Sequence, residues 1–368
     1  MEINIRRKDM KNYNEEKQNV IDWLCHPSEL GKAPAKIEFT KEFTDEDGIE
    51  CMIFKYKKSV LSPWMLAISS DSGVFSEMQR YNEKTEVEDA KKLIDYLKDY
   101  WKMMARSEQE KEERDKNADG FQAFVLMENP DWNPEKFEEI FSKDWGIQLI
   151  DEDEHEGDEK EESNVDARIY DVDSMRLVLG YMGFAIPEGE AEYNAQFNYM
   201  WKDAVDAAKR HDAHMLVTVM GEGTALEKGT LYTKAVTSMC KMESVVGVYA
   251  NGVVYEPDFW IKASEMLEDR DIPLLNLIWF GLARGENNTV SAYTCGMRCF
   301  GRDEMEIINS SENPEYIRDM IINLARYVLT EQVILHDGET IGFTPGQRIA
   351  LTMSEGVNVD GESLKIEI

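Results

Sequence analysis

The first hundred residues alternate between an apolar pattern typical of strands and one typical of helices. The stretches IECMIFKY and WMLAISSDSGVFSEM are rich in Ile, Phe, Val and aromatic residues, which predicts a pair of strands. From residue 85 to 117, apolar residues instead recur every three or four positions, which predicts a long helix. Its apolar stripe stops after Ala105 while the charge continues. We therefore predict a small N-terminal α+β domain over 1–105 and a charged connector over 106–120.

Short apolar strands alternate with amphipathic helices throughout residues 121–368. Each of four predicted helices begins with a proline that is followed at once by Glu or Asp. Proline at the first helical position gives up no hydrogen bond, and the acid faces the positive end of the helix dipole. These residues therefore have a sufficient structural explanation. The four prolines are Pro134, Pro187, Pro257 and Pro314.

The order of these elements predicts the fold. Strand, helix, strand, strand, helix, strand is the split βαβ arrangement, in which helices cover one face of an antiparallel sheet. We predict an α+β fold in which 121–368 forms two ferredoxin-like units in tandem. The helix from Pro187 is expected to be long and to bury one stripe. That stripe is Tyr193, Phe197, Met200, Trp201, Ala204, Val205 and Ala208.

The stretch YTCGMRCFGRDEMEI places Cys295 and Cys299 four positions apart. Its period of two predicts a half-buried strand, a turn at Gly301 and a second strand with Met305 and Ile307 inward. On such a strand the two cysteines would lie about 13 Å apart, too far for a disulfide. Neither a CxxC nor an HxxxH spacing for zinc occurs nearby. The pattern therefore predicts a hairpin whose cysteines belong to the core.

This stretch, together with YVLTEQVILHDGETIGFTPGQRIALTMS downstream, resembles the C-terminal part of a bacterial family known as domain of unknown function 4261. The resemblance covers about 290–355 and is expected to extend from residue 121. Members of the family resemble proteins found in bacterial toxin–immunity neighbourhoods, and no activity is established for them. The matching residues are Tyr293, Thr294, Gly296, Phe300, Gly301, Glu304, Glu306, Tyr327, Val328, Asp337, Gly338, Thr340, Ile341 and Gly342.

The net charge of −32 is concentrated in one part of the chain. Residues 121–368 carry 20 basic and 47 acidic side chains, a balance of −27. Such a surface repels nucleic-acid phosphates and anionic membranes, and it attracts basic proteins. The N-terminus lacks the apolar core of a secretory signal, and five scattered cysteines fit a reducing compartment. We therefore expect a cytoplasmic protein with a basic protein partner.

Two clusters are candidate sites. An acidic run could act as an arm for a basic partner, although a solvated loop also explains it. His211 and His214 are spaced so that both could face a metal with Glu222, although a basic helix end and a packed strand start are the favoured explanation. The candidate partner-binding residues are Asp151, Glu152, Asp153, Glu154, Glu156, Asp158 and Glu159.

These observations favour a non-catalytic, acidic protein-binding protein, specifically an immunity protein that neutralises a bacterial toxin or effector. An enzyme or a small-ligand or metal-binding protein with a cleft near His211 and His214 is the alternative. A homodimer that pairs through sheet edges is a third possibility. The sequence assigns no catalytic residue, no cofactor and no metal.

Overall fold

The computed structural model describes residues 2–26, 29–70, 73–76, 79–151, 165–344 and 346–368. The chain divides into two compact units, unit 1 (residues 1–110) and unit 2 (residues 111–368). The described helices are α1 (Glu2–Cys25), α2 (Glu86–Lys116), α3 (Pro134–Trp145), α4 (Glu190–Ala195), α5 (Ala204–Ala208), α6 (Ala225–Cys240), α7 (Pro257–Ser264), α8 (Leu274–Leu277) and α9 (Pro314–Thr330). Among them, none combines the length and hydropathy needed to cross a bilayer.

The described strands form three sheets. They are β1 (Lys36–Thr44), β2 (Glu50–Lys57), β3 (Met65–Ser70), β4 (Gly73–Phe75), β5 (Gln122–Met127), β6 (Ile150–Asp151), β7 (Val165–Val172), β8 (Met175–Met182), β9 (Ala213–Gly221), β10 (Val245–Ala250), β11 (Val253–Tyr255), β12 (Trp279–Arg284), β13 (Val290–Cys295), β14 (Met305–Ser310), β15 (Thr340–Ile341), β16 (Ile349–Glu355) and β17 (Glu362–Ile366).

Unit 1 contains a four-stranded antiparallel sheet in the order β1-β2-β3-β4. Side chains alternate along β2, so that Ile53 packs with Leu93 and Ile94 of α2 while Phe54 packs with Val20 of α1 on the opposite face. The predicted strands and the predicted helix over 85–117 are confirmed, and the helix continues well past its apolar stripe. The sequence prediction missed α1 and β1.

The first sheet of unit 2 has seven strands in the order β11-β10-β5-β9-β8-β7-β6, and every neighbouring pair is antiparallel. Along β5, Ala123 and Val125 pack in the large core with Phe137 of α3 and Tyr232 of α6. Leu126 points to the other face, where it packs with the short helices α4 and α5. This sheet is therefore covered on both faces.

The second sheet of unit 2 has six strands in the order β12-β13-β14-β17-β16-β15. Its side chains join the same large core, together with the apolar face of α9. The pair β14–β17 is parallel, and a single long helix, α9, separates the first three strands from the last three. The α+β class is confirmed, whereas this arrangement departs from the predicted antiparallel sheet with two helices.

Three of the four predicted proline-led helix starts are confirmed. Pro134, Pro257 and Pro314 each occupy the first helical position, of α3, α7 and α9. In α3 and α9 a preceding asparagine also accepts a hydrogen bond from a backbone N–H of the first turn.

The long helix predicted from Pro187 is wrong. The chain forms a short 3-10 turn there, and Glu188 and Gly189 both adopt positive φ angles before α4 begins. After α4, Asn198 stops the helix, because its Oδ1 accepts from the backbone N–H groups of Met200 and Trp201. Several residues of the expected buried stripe are consequently exposed, namely Tyr193, Phe197 and Met200.

The same turn connects the two sheets of unit 2. Asn198 Nδ2 donates to the carbonyl oxygen of Val254 on the edge strand β11 at 2.9 Å. The hydroxyl of Tyr199 donates to the carbonyl oxygen of Phe280 on the edge strand β12 at 3.0 Å. The side chains of Asn198 and Tyr199 therefore hydrogen-bond the 194–201 turn to one edge strand of each sheet.

Replacing Asn198 with alanine removes three hydrogen bonds from a side chain that is 7% exposed. We expect a loss of about 2–3 kcal/mol in the free energy of unfolding, measured by urea denaturation, because Val254 keeps a buried carbonyl without that donor. The exposed neighbour Gln196 serves as the matched control, and Gln196→Ala should change stability by less than about 0.5 kcal/mol. Equal effects of the two variants would contradict this role of Asn198.

Candidate functional site

A cleft with a volume of about 480 Å³ opens in unit 2 beside the start of β14. Its walls come from loops and strand ends that are far apart in the sequence. The cleft is lined by Asp119, Gly120, Asn194, Phe197, Asn251, Gly252, Trp279, Tyr293, Cys295, Gly296, Arg298, Cys299, Glu304, Asn358, Val359 and Asp360.

Glu304 lies at the base of the cleft and is 4% exposed. The Thr294 hydroxyl donates to Glu304 Oε2 at 2.6 Å, and the Gly296 N–H donates to Oε1 at 2.8 Å. Burial raises the pKa of this carboxyl, and the hydrogen bonds offset only part of that effect. Gly296 has φ +124°, and a Cβ there would come within 2.3 Å of the Leu277 carbonyl oxygen. Glu304 therefore fixes a turn that only glycine fits.

Glu306 fixes the loop that forms the opposite wall of the cleft, at residues 357–360. Its side chain is 0% exposed, and it accepts hydrogen bonds from the backbone N–H groups of Val357 and Asn358 at 3.0 and 2.7 Å. The Ser363 hydroxyl and Lys365 Nζ donate to the same carboxylate at 2.6 and 2.8 Å. Burial alone would raise the pKa of Glu306, but these donors outweigh it and hold the pKa at about 2. The carboxylate is therefore a charged, structural contact.

The predicted hairpin of β13 and β14 is confirmed, but the path between the strands is different. Strand β13 ends at Cys295, and residues Met297–Phe300 form a 3-10 turn, so Cys299 does not continue the strand. Burial raises the pKa of both thiols, and that of Cys299 reaches about 12. Both are free cysteines that remain protonated at neutral pH. They are half-buried, pack against the core and also line the cleft, so the predicted core position is only partly right.

Aromatic rings form one side of the cleft. Tyr293 lies against Gly281 on the neighbouring strand, where a Cβ would come within 2.0 Å of the tyrosine ring. Trp279 is 3% exposed and packs edge-on against Tyr255, with ring centroids 5.6 Å apart. Burial raises the pKa of Tyr293, so its hydroxyl stays neutral at physiological pH. The wall is therefore rigid, aromatic and uncharged.

The charged groups at the mouth of the cleft are Asp119, Asp360 and Arg298. Arg298 Nη2 donates to the backbone carbonyl oxygens of Asp360 and Glu362. Both aspartates are exposed. Sequence analysis did not single out these three residues, because they belong to loops and the contact between the loops depends on the fold.

The candidate metal ligands do not converge. His211 Nε2 accepts from the Ile186 N–H at 2.9 Å, and Nδ1 contacts the Ala208 carbonyl oxygen, so both ring nitrogens are engaged. Burial lowers the pKa of His214, whose Nδ1 contacts the Phe184 carbonyl oxygen at 2.8 Å. Glu222 lies at the other end of β9, about 26 Å from His214 along the strand. Across the described ranges, no group of three or more His, Cys, Asp or Glu could hold a metal ion.

The candidate partner-binding acids lie mostly outside the described residues. Asp151 is the last residue of β6, and Glu152, Asp153, Glu154, Glu156, Asp158 and Glu159 fall in the 152–164 gap. Their role as an arm for a basic partner stays a prediction.

Comparison with known families gives one match. A family model described as Domain of unknown function (DUF4261) matches residues 293–367. The match confirms the resemblance noted in the sequence, and it covers both buried glutamates and the loop that Glu306 holds. Comparisons with curated proteins and with solved structures find no match.

Glu306 should make stability depend on pH. Its pKa falls from an ordinary 4.5 to about 2 in the folded protein, so its contribution is complete above pH 4.5 and is lost as the pH falls toward 2. We expect Glu306→Gln to lower the free energy of unfolding at pH 7 by about 3 kcal/mol. The difference between wild type and variant should shrink through that window, as measured by urea denaturation at each pH.

The exposed Glu362→Gln is the control and should leave the pH profile unchanged. Glu304 changes the pH dependence of stability in the opposite direction because its pKa is raised in the folded protein. Glu304 is present in both wild type and Glu306→Gln, so its effect cancels when the two free energies of unfolding are subtracted. If Glu306→Gln fails to fold, Lys365→Met removes one donor and should move the acid loss of stability to higher pH. A difference that stays constant from pH 7 to pH 2 would contradict the assignment.

Proposed function

We propose that this is a non-catalytic protein that binds a basic protein partner through unit 2. The matched family carries no assigned function, so the proposal is argued from the geometry of unit 2. The observation that carries the proposal is a set of exposed apolar side chains on the end of α4 and the 194–201 turn beside the cleft, hereafter the aromatic rim. Its members are 40% to 63% exposed. They are Tyr193, Phe197, Tyr199 and Met200.

The composition of the aromatic rim supports a protein partner. Aromatic residues and methionine are enriched at protein interfaces, and aromatic rings bury large areas at a small loss of side-chain entropy. Tyr193 and Phe197 already pack edge-to-face, with centroids 5.4 Å apart. Tyr199 and Asn198 fix the turn to both sheets. A rim that is ordered before binding loses little entropy when a partner docks.

Charge supports a basic partner. The balance of −27 over residues 121–368 favours association with a positively charged protein and raises its association rate. Exposed acids, Glu188, Glu190 and Asp203, flank the aromatic rim in the sequence. An apolar centre with a charged surround is the usual arrangement of a specific interface.

The role of an immunity protein that neutralises a toxin or effector in the bacterial cytoplasm is the specific form of this proposal. It rests on the resemblance of the C-terminal region to proteins of toxin–immunity neighbourhoods. An inhibitor of this kind acts by occupying its target, so it needs a rigid binding surface and no reaction.

A ferredoxin-like core in the seven-stranded sheet is part of the same proposal. Strands β5, β8, β9 and β10 lie in the order β10-β5-β9-β8, with α3 after β5 and α6 between β9 and β10. This order supports a split βαβ unit, to which β6, β7 and β11 are added at the edges.

The aromatic rim predicts which substitutions abolish partner binding. The full-length chain is immobilised and used to capture proteins from a bacterial lysate at about 0.1 M and about 0.5 M salt. We expect a basic protein that is retained at low salt and weakened at high salt. The triple variant Tyr193→Ala, Phe197→Ala, Met200→Ala should lower its affinity by at least about a hundredfold, because it removes the apolar centre.

The matched control replaces three other exposed apolar residues, Val60, Leu61 and Met220, with alanine and should retain the partner. Equal loss in both variants would point to general instability and contradict the proposal. Capture of the chain's own second copy alone would also contradict it, and would favour the homodimer.

A further inference from the structure

Three asparagines of the cleft share a feature that points to the chemistry of its ligand. Each donates its Nδ2 group to a fixed acceptor of the protein: Asn194 to the Glu190 carbonyl oxygen, Asn251 to that of Leu277, and Asn358 to Glu306 Oε1. The remaining atom of each side-chain amide is an oxygen, which can only accept. The cleft therefore offers three amide oxygens as acceptors, and the hydrogen bond made by the Nδ2 of the same side chain fixes the orientation of each.

Two carboxylates add charge to this acceptor set. Asp119 and Asp360 line the cleft, and in the part of the chain that the structure describes neither side chain forms an ion pair or a side-chain hydrogen bond. Arg298 does not neutralise them by contact, since its Nη2 is directed to the backbone carbonyl oxygens of Asp360 and Glu362. A ligand with several N–H donors and a positive charge would satisfy both the carboxylates and the amides.

The aromatic wall selects among cations. Trp279, Tyr293 and Phe197 line the same cleft, and a planar cation is attracted to aromatic faces, arginine more often than lysine. Guanidinium carries five donors in a plane, whereas ammonium carries three on one atom. Five acceptors beside aromatic rings therefore fit an arginine side chain better than a lysine.

The ligand should also carry a hydrogen-bond acceptor. Within the described residues the buried indole Nε1–H of Trp279 makes no hydrogen bond of good geometry, and its contact with the Tyr293 hydroxyl is a weak one. A poorly satisfied buried donor is unfavourable, and a peptide carbonyl oxygen would satisfy it better. A free cation cannot supply that carbonyl, whereas an arginine within a polypeptide supplies both groups.

We infer that the cleft receives an arginine side chain from an extended segment of the basic partner. This inference rests on the proposed function, since it names the group of the partner that enters unit 2. The aromatic rim, which includes Phe197 of the cleft wall, contacts the surface around that arginine. Asp119 and Asp360 bind the guanidinium, and the cleft asparagines complete its acceptors.

The test uses defined peptides and the full-length protein. The probes are acetyl-Gly-Arg-Gly-amide and the same peptide with citrulline, which keeps the shape of arginine and removes its charge. Binding is followed by the indole N–H signal of Trp279 in two-dimensional NMR, assigned with Trp279→Phe. We expect the arginine peptide to shift this signal with a dissociation constant of about 1 mM, and the citrulline peptide to bind about tenfold more weakly.

Variants assign the effect to the two carboxylates. Asp119→Asn with Asp360→Asn should weaken binding of the arginine peptide by about tenfold. The control Glu268→Gln with Asp269→Asn changes the net charge equally at exposed positions outside the cleft and should have no effect.

Three results would overturn the inference: no shift at a peptide concentration about tenfold above the expected constant, equal binding of the arginine and citrulline peptides, or equal behaviour of the two double variants. If the arginine peptide does not bind but a protein partner is still captured through the aromatic rim, only the arginine site is refuted. If the peptide binds but no captured protein depends on the aromatic rim, the proposed function is refuted instead.

Discussion

A buried carboxylate organises the cleft of unit 2. Glu306 is 0% exposed, and a charge in that position is tolerated only when hydrogen bonds replace water. Its donors are the backbone of the 357–358 loop and the side chains of Ser363 and Lys365 on β17. Two residues earlier, Glu304 holds the turn at Gly296 in the same way. One short stretch of chain therefore positions both walls, and each wall would lose its shape without its glutamate.

Much of the fold follows from local patterns. Proline followed by an acid marked the starts of α3, α7 and α9, because that pattern depends only on the first helical turn. The helix expected from Pro187 is interrupted at Asn198, whose Oδ1 accepts from the local N–H groups of Met200 and Trp201 while its Nδ2 bonds to Val254, a long-range partner that no local pattern reveals. A side chain that bonds to a distant strand edge overrides the helical preference of its neighbours.

The cleft was less predictable than the fold. Alternation in EMEII placed Met305 and Ile307 inward and so implied that Glu306 faced solvent, yet this strand is buried on both faces. The donors to Glu306 lie 51 to 59 residues further along the chain, beyond the reach of any spacing rule. Ser363 and Lys365 share one face of β17, but this alternation is equally typical of a solvated face and did not point to Glu306. The aromatic rim was hidden for a related reason, because Tyr193, Phe197 and Met200 fitted a buried helical stripe.

The contacts of Asn198 and Tyr199 also bear on how this chain avoids aggregation. Edge strands expose unpaired backbone groups that recruit other chains, and proteins commonly cover such edges or keep them short. Here the 194–201 turn covers part of β11 and β12, which are edge strands of the two sheets of unit 2. Another chain could extend either sheet at these strands only after displacing the hydrogen bonds of Asn198 and Tyr199.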